Sequence, residues 1–414
     1  MTYPFDSVAV VGGGLAGARA VAALREEGFT GRISLIGAEP RLPYERPPLS
    51  KEFLSEGLSP DRLLVHPPEF YDEHRIELVL GRPATRLSPG DGTIHLAGGG
   101  AVRAGRVLLC TGVAPRRLGV PGEALPGVHA LRDLPDGEAL RAVVREGVPV
   151  VVVGEGFIGS EVASTLAGLG ADVTLLMGGD LPMQPVLGVE AGDWLLAQHR
   201  GHGISARPRS PIRAILGDDR VTAVELADGT VLPAGAVVVG IGSVPAVGLA
   251  ADAGIDVDDG VLVDVYSRTS LPGVYAAGDL ARFPSAAFGR ALRVEHWQNA
   301  QDQATTAVRA MLGAAAEPYD GIPWAWSEQH GRRWEIAGQP HLGTSVARRG
   351  DPDSVDGALW VFSDEGRVRG AVAVGRRREL RAVLRGLAHG VTVAEHDVRD
   401  ESVDIRTALH GAAA

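Results

Sequence analysis

The chain has 414 residues, a formal net charge of −11 at pH 7, 45% hydrophobic and 22% charged residues, and a single cysteine, Cys110. That length predicts two or three domains, and no apolar run approaches the roughly 20 residues that span a bilayer. The acidic balance argues against general nucleic-acid binding, while one cysteine excludes internal disulfides, C-x-x-C redox pairs and cysteine-rich metal centres, so no metal site is expected.

The first strand starts within seven residues of Met1, leaving no room for a signal peptide, and with the lone thiol this points to the cytoplasm. Val8-Ala-Val-Val reads as a buried parallel strand and Ala18 onward as a helix, with Gly12, Gly14 and Gly17 in the turn between them. The first glycine permits the tight turn and the second lets backbone approach a pyrophosphate. The third lets helix pack on strand, so the N–H-rich helix end faces phosphate. Leu15 and Ala16 lie inside that turn and are expected to bind the cofactor with its glycines. A lone G-x-G-x-x-G is weak in a chain with 56 glycines, but this one sits in strand–turn–helix context. It also recurs 142 residues later as Gly154, Gly156 and Gly159 after Val150–Val153, with Phe157 and Ile158 inside the turn. Two such units suggest two dinucleotides.

The helix from about Ala16 to Glu27 leads into a second strand, Ile33–Gly37, followed by Glu39. A carboxylate there accepts hydrogen bonds from the adenosine ribose hydroxyls, or is an ordinary loop carboxylate. Pro43 to Lys51 follows, extended at its prolines and helical from near Leu49. Lys51 is the only lysine among 40 basic residues. That is either GC-biased coding or a position where a compact ammonium is chemically required. A short β-meander is expected around Ile76–Leu80 and Thr93–Leu96, then a buried strand, Val107 to Gly112 with Cys110 and Thr111. Ala114–Pro126 reads as a linker. The second unit runs from Val150 to about Gly240, closing on Val237–Gly242.

In this order and spacing, Gly12–Gly17, Arg46–Lys51, Thr111-Gly112, Gly154–Glu161, Thr269 to Gly278-Asp279, Val294–Asn299 and Pro323–Ser327 resemble the FAD-dependent, NADH-dependent ferredoxin reductases of bacterial oxygenases and cytochromes P450. These are glutathione-reductase-like flavoproteins. The resemblance implies an α/β fold with two Rossmann-like dinucleotide-binding domains and a C-terminal α+β domain. Residues 1–112 and 246–318 would bind FAD, 113–245 would bind NAD(P), and 319–414 would form the third domain. It assigns FAD contacts to Arg46, Thr111, Gly112, Gly278 and Asp279, the last accepting from ribityl hydroxyls where a buried turn cap is the bland alternative. The helix starting near Glu295 would aim its positive end at the flavin, with His296 and Trp297 lining the site. Lys51 and Glu161 occupy the positions of the lysine–glutamate pair beside the flavin. Trp326 would lie at the acceptor edge, or Trp324 and Trp326 pack in a core.

Three positions depart from the pattern. Met177 stands where a carboxylate would hold the nicotinamide nucleotide's ribose, with Asp180 three residues late; NADH is expected and NADPH not excluded. Glu155 inside the second glycine turn must point away from the pyrophosphate or weaken binding. Ala246 replaces an asparagine. The expected partner is a two-iron, two-sulfur ferredoxin, drawn to Gly366–Gly386, where seven arginines face only Glu379. Arg377, Arg381 and Arg385 would line the docking face of a helix whose Leu380, Val383, Leu384 and Leu387 face the core. The chain is expected to be a monomer or weak homodimer, and the tail after Glu395 mobile. Competing readings are direct reduction of a small acceptor, and an FAD-binding redox protein with weakened nicotinamide turnover.

Overall fold

A computed structural model of the chain describes residues 3–314 and 317–411. It divides into two units: Met1–Glu45, Asp61–Ala114 and Val244–Pro323; and Arg46–Pro60, Pro115–Ser243 and Trp324–Ala414.

The first unit is organised on a five-stranded parallel sheet ordered Val274–Ala276, Arg106–Leu109, Ser7–Val11, Arg32–Ile36, Ile76–Val79. Ser7–Val11 is buried along its whole length, as a strand covered on both faces must be. The helix Leu15–Glu26 lays Ala16, Ala20 and Ala23 against Ala300, Ala304 and Ala307 of the helix Trp297–Leu312. Such small side chains let the two backbones approach closely. Each fully buried Val or Leu in this core contributes roughly 1.5–3 kcal/mol. Ile76–Val79 belongs to the parallel sheet, paired with Arg32–Ile36, and is not part of the expected meander. That meander is instead Ala84–Ser88, Thr93–Leu96 and Ala101–Arg103.

In the second unit the parallel sheet repeats, ordered Ser205–Arg207, Asp172–Leu176, Pro149–Val153, Ala236–Val239, Val128–His129. A seven-stranded antiparallel sheet follows, running through Trp324–Gln329, Arg332–Gly338, Arg367–Val374, Ala358–Asp364 and Ser345–Gly350. The helix Arg377–Leu387 covers it with buried Leu380, Val383 and Leu387. The tail after Glu395 is folded, contrary to expectation: helices Glu395–Arg399 and Ile405–Ala408 lead to a strand pair, Thr392–Val393 with Leu409–His410. Its anchor is Arg349, only 4% exposed, whose guanidinium donates to the carbonyls of Val398, Asp400, Glu401 and Val403. The final residues, 412–414, lie outside the described residues.

Candidate functional site: glycine cradles and a buried ion pair

Both glycine turns are dictated by contact with backbone. A Cβ on Gly12 would lie 2.0 Å from the Cys110 carbonyl oxygen, and one on Gly17 would lie 1.9 Å from the Gly12 oxygen. The second turn repeats this, at 2.3 Å from Gly240 for Gly154 and 1.8 Å from Gly154 for Gly159. Gly14 and Gly156 differ, since a Cβ there meets nothing within 4 Å. Each is the N-cap of the following helix, with no side chain capping the first-turn N–H groups. An open, uncapped helix start of this kind is what an anionic pyrophosphate needs. The residues present thus fit two dinucleotides. Leu15 and Ala16 follow Gly14, and Phe157 and Ile158 follow Gly156, as first-turn residues.

Around the first turn, Glu39 follows its strand and accepts from Tyr44 Oη at 2.6 Å. Thr111 Oγ1 donates to the Ala246 carbonyl at 3.0 Å, and the Ala246 N–H donates to Gly112 at 3.0 Å, so Ala246 contributes only its backbone. Gly278 donates to Gln303 Oε1 at 2.9 Å, and half-buried Asp279 follows at the strand's end. His296 occupies the N-cap position of the helix Trp297–Leu312, with no capping hydrogen bond from its side chain. Burial pushes its imidazole down to about 4, and its Nδ1 is a buried polar atom without a partner among the described residues. Burial raises the Glu45 carboxyl above the ordinary carboxylate range, with the Trp297 side chain acting in the opposite direction. Glu295 is exposed and paired with Arg293 at 2.5 Å. Cys110 is buried, and desolvation pushes its thiol up to about 12, so it holds no reactive thiolate at neutral pH.

In the second unit the helix Phe157–Gly168 carries Glu161 one turn beyond the cradle. Lys51 Nζ lies 2.6 Å from Glu161 Oε2, with the two side chains only 11% and 4% exposed. Ser50 Oγ donates to the same oxygen at 2.5 Å, and Ser327 Oγ donates to Oε1 at 2.7 Å. Arg46 donates to the Arg132 carbonyl at 2.6 Å. The two serines escape sequence reasoning, because only tertiary pairing brings residues 50, 161 and 327 together. The sole available signal is the alternation of Trp324–Gln329, which buries Ala325, Ser327 and Gln329 and leaves Trp324, Trp326 and Glu328 half-exposed. Trp324 and Trp326 therefore pack on each other, ring centroids 5.4 Å apart, with Arg333 over Trp326 at 5.2 Å. Neither is a core residue; Trp334 and Trp360 fill that role.

Glu155 turns toward the end of the neighbouring strand, accepting from the Gly178 and Gly179 N–H groups. Met177 is fully buried, and Asp180 is held by Arg209 at 2.6 Å. On the basic helix, Arg377, Arg378, Arg381 and Arg385 are exposed. The net charge is smaller than the sequence count, because Arg369 pairs with Asp364, Arg376 with Glu379 and Glu401, and Arg377 with Glu335. Among the described residues no cluster of three or more His, Cys, Asp or Glu could hold a metal ion, and no helix is long and apolar enough to cross a membrane.

The pyridine nucleotide-disulphide oxidoreductase family model matches residues 6–304, and the reductase C-terminal model matches 324–409. The chain is 42% identical over 351 residues to the 5,5'-dehydrodivanillate O-demethylase ferredoxin reductase subunit of Sphingobium sp., covering 84% of this chain and 85% of that one. It is similar to the crystal structure of a ferredoxin reductase for the CYP199A2 system from Rhodopseudomonas palustris, at TM-score 0.94 and 35% identity, covering 99% and 100% of the two chains. Putidaredoxin reductase, in its covalent complex with putidaredoxin, matches at TM-score 0.93 and 30% identity over 97% of both chains. The chain belongs to the FAD-dependent NAD(P)H:ferredoxin reductases.

Proposed function

We propose that this chain takes electrons from NADH through FAD to a two-iron, two-sulfur ferredoxin that feeds an oxygenase or cytochrome P450. One observation carries the reading: the helix that starts at the second cradle holds Glu161 in a buried pair with Lys51, the chain's only lysine. That joins nucleotide binding to a desolvated charge pair, of the kind found at functional sites. FAD, when bound, supplies acceptance of a hydride and release of single electrons. The first turn, with Glu39, Arg46, Thr111, Gly112, Gly278 and Asp279, would hold it, the helix headed by Glu295, His296 and Trp297 facing its ring. Lys51 and Glu161 would orient the ring and the nicotinamide, their charges fixed by Ser50 and Ser327. Trp326 would stand on the acceptor side.

In this reading residues 1–112 and 246–318 form the FAD domain, 113–245 the nicotinamide domain, and 319–414 the C-terminal domain. A ferredoxin, typically acidic, would dock near Arg377, Arg381 and Arg385. A monomer or weak homodimer in the cytoplasm completes the proposal. The test is anaerobic. NADH should bleach the flavin band at about 450 nm, and a two-iron, two-sulfur ferredoxin should restore it. Absence of bleaching by either NADH or NADPH would overturn the reading; bleaching without recovery on adding ferredoxin would overturn the acceptor.

A further inference from the structure

Glu155 occupies a position in the glycine turn where a carboxylate is costly unless it has a purpose. Its side chain runs to the end of the strand Asp172–Leu176, the second strand of this unit. There Gly178 donates to Oε2 at 3.1 Å and Gly179 to Oε1 at 2.9 Å. The carboxylate is therefore fixed as a fork, one backbone N–H to each oxygen, and each oxygen keeps lone-pair capacity for another donor. The glycines permit this approach, since a Cβ on Gly179 would lie 3.3 Å from Oε1.

The end of the second strand is where a dinucleotide-binding unit meets the adenosine ribose, and where a carboxylate normally accepts from the diol. Met177, at that position, is fully buried and has no such acceptor. Asp180 is committed to Arg209, through Oδ1 to Nε and Oδ2 to Nη2, both at 2.6 Å. The Gly178 and Gly179 N–H groups would themselves form an anion-binding nest, but Glu155 already fills it.

We propose that Glu155, reaching across from the glycine turn, is the ribose-diol acceptor of this enzyme and its selector for NADH over NADPH. The diol of NADH finds a fixed bidentate acceptor. The 2′-phosphate of NADPH meets a carboxylate where its donors should be, and like charges at short range repel. This rests on reading the second turn as the nicotinamide-nucleotide cradle.

The test measures binding rather than turnover, on FAD-loaded protein, by calorimetry with ADP-ribose and 2′-phospho-ADP-ribose. Wild type should favour ADP-ribose by about tenfold or more. Glu155→Gln keeps the shape and removes the charge, and Glu155→Ala removes both. In each, 2′-phospho-ADP-ribose should bind several-fold tighter, and in Glu155→Ala ADP-ribose should bind several-fold weaker. If both variants keep the wild-type preference, or if wild type binds the two probes alike, the proposal is overturned while the reductase reading stands. If wild type binds neither probe and its flavin is not bleached by NADH, both are overturned.

Discussion

Lys51 Nζ stands 2.6 Å from Glu161 Oε2 in a setting that excludes nearly all solvent from both groups. Removing one partner of such a pair strands the other charge, which typically costs about 3–5 kcal/mol. Lys51→Met should therefore lower the stability of the FAD-loaded protein by roughly 3 kcal/mol in urea unfolding. Lys51→Met combined with Glu161→Gln should recover most of that loss. Equal destabilisation in the single and double variants would show that the two charges are not coupled.

The glycine cradles separate structural from ligand-facing positions. Gly17→Ala places a methyl 1.9 Å from the Gly12 oxygen, and Gly159→Ala 1.8 Å from the Gly154 oxygen, so both should fold poorly. Gly14→Ala and Gly156→Ala put a methyl into open space. They should stay within about 1 kcal/mol of wild type in unfolding. Their defect should appear as lost FAD in the first case and weak nucleotide binding in the second. Thermal unfolding with flavin content separates the two classes.

Legibility followed distance in the chain. The cradles were readable because each is a local steric requirement, met by glycines within six residues of one another. The Lys51–Glu161 pair is readable only through family resemblance, Ser50 is not readable, and Ser327 has only the alternation of its strand as a signal. Their hydroxyls acquire meaning from a carboxylate more than a hundred residues away. Glu155 stood out as anomalous, but its destination depends on where the next strand ends. Ile76–Val79 reads as part of a local meander because nothing near it in the chain announces its parallel and distant partner, Arg32–Ile36. The tail looked loose because nothing in its own residues announces the buried Arg349 that holds its carbonyls.

Stability should fall on mild acidification because of a histidine cluster. His199 Nδ1 lies 2.8 Å from His330 Nε2, and the His202 ring stacks on His330. Burial, then the neighbouring imidazoles, pushes His199 down to about 3, and burial pushes His330 down to about 4. Folded-state values below the ordinary 6.5 mean that the unfolded chain takes up protons first as pH drops. The contribution is complete above about pH 6.5 and is lost progressively from there, down to about 4 for His330 and about 3 for His199. At pH 5 His199 alone accounts for about 2 kcal/mol. His199→Phe should flatten the fall in urea midpoint between pH 7 and pH 5; an unchanged slope would remove the cluster as its source.

Exposed Arg381 and Arg385 continue the face begun by Arg377. Arg381→Glu with Arg385→Glu should raise the apparent KM for ferredoxin several-fold at low ionic strength, and the effect should shrink as salt screens it. The rate of flavin bleaching by NADH should be unaltered, since the change lies with the acceptor. An unchanged ferredoxin KM at low salt would rule this helix out as the docking face.

The most direct measurement is single-turnover flavin bleaching by saturating NADH in wild type, Lys51→Met and Glu161→Gln, each with its FAD content established. Full FAD occupancy is expected in all three, with reduction slowed by about tenfold or more in both variants. Reduction at the wild-type rate in either variant would contradict the assignment of the buried pair to hydride transfer.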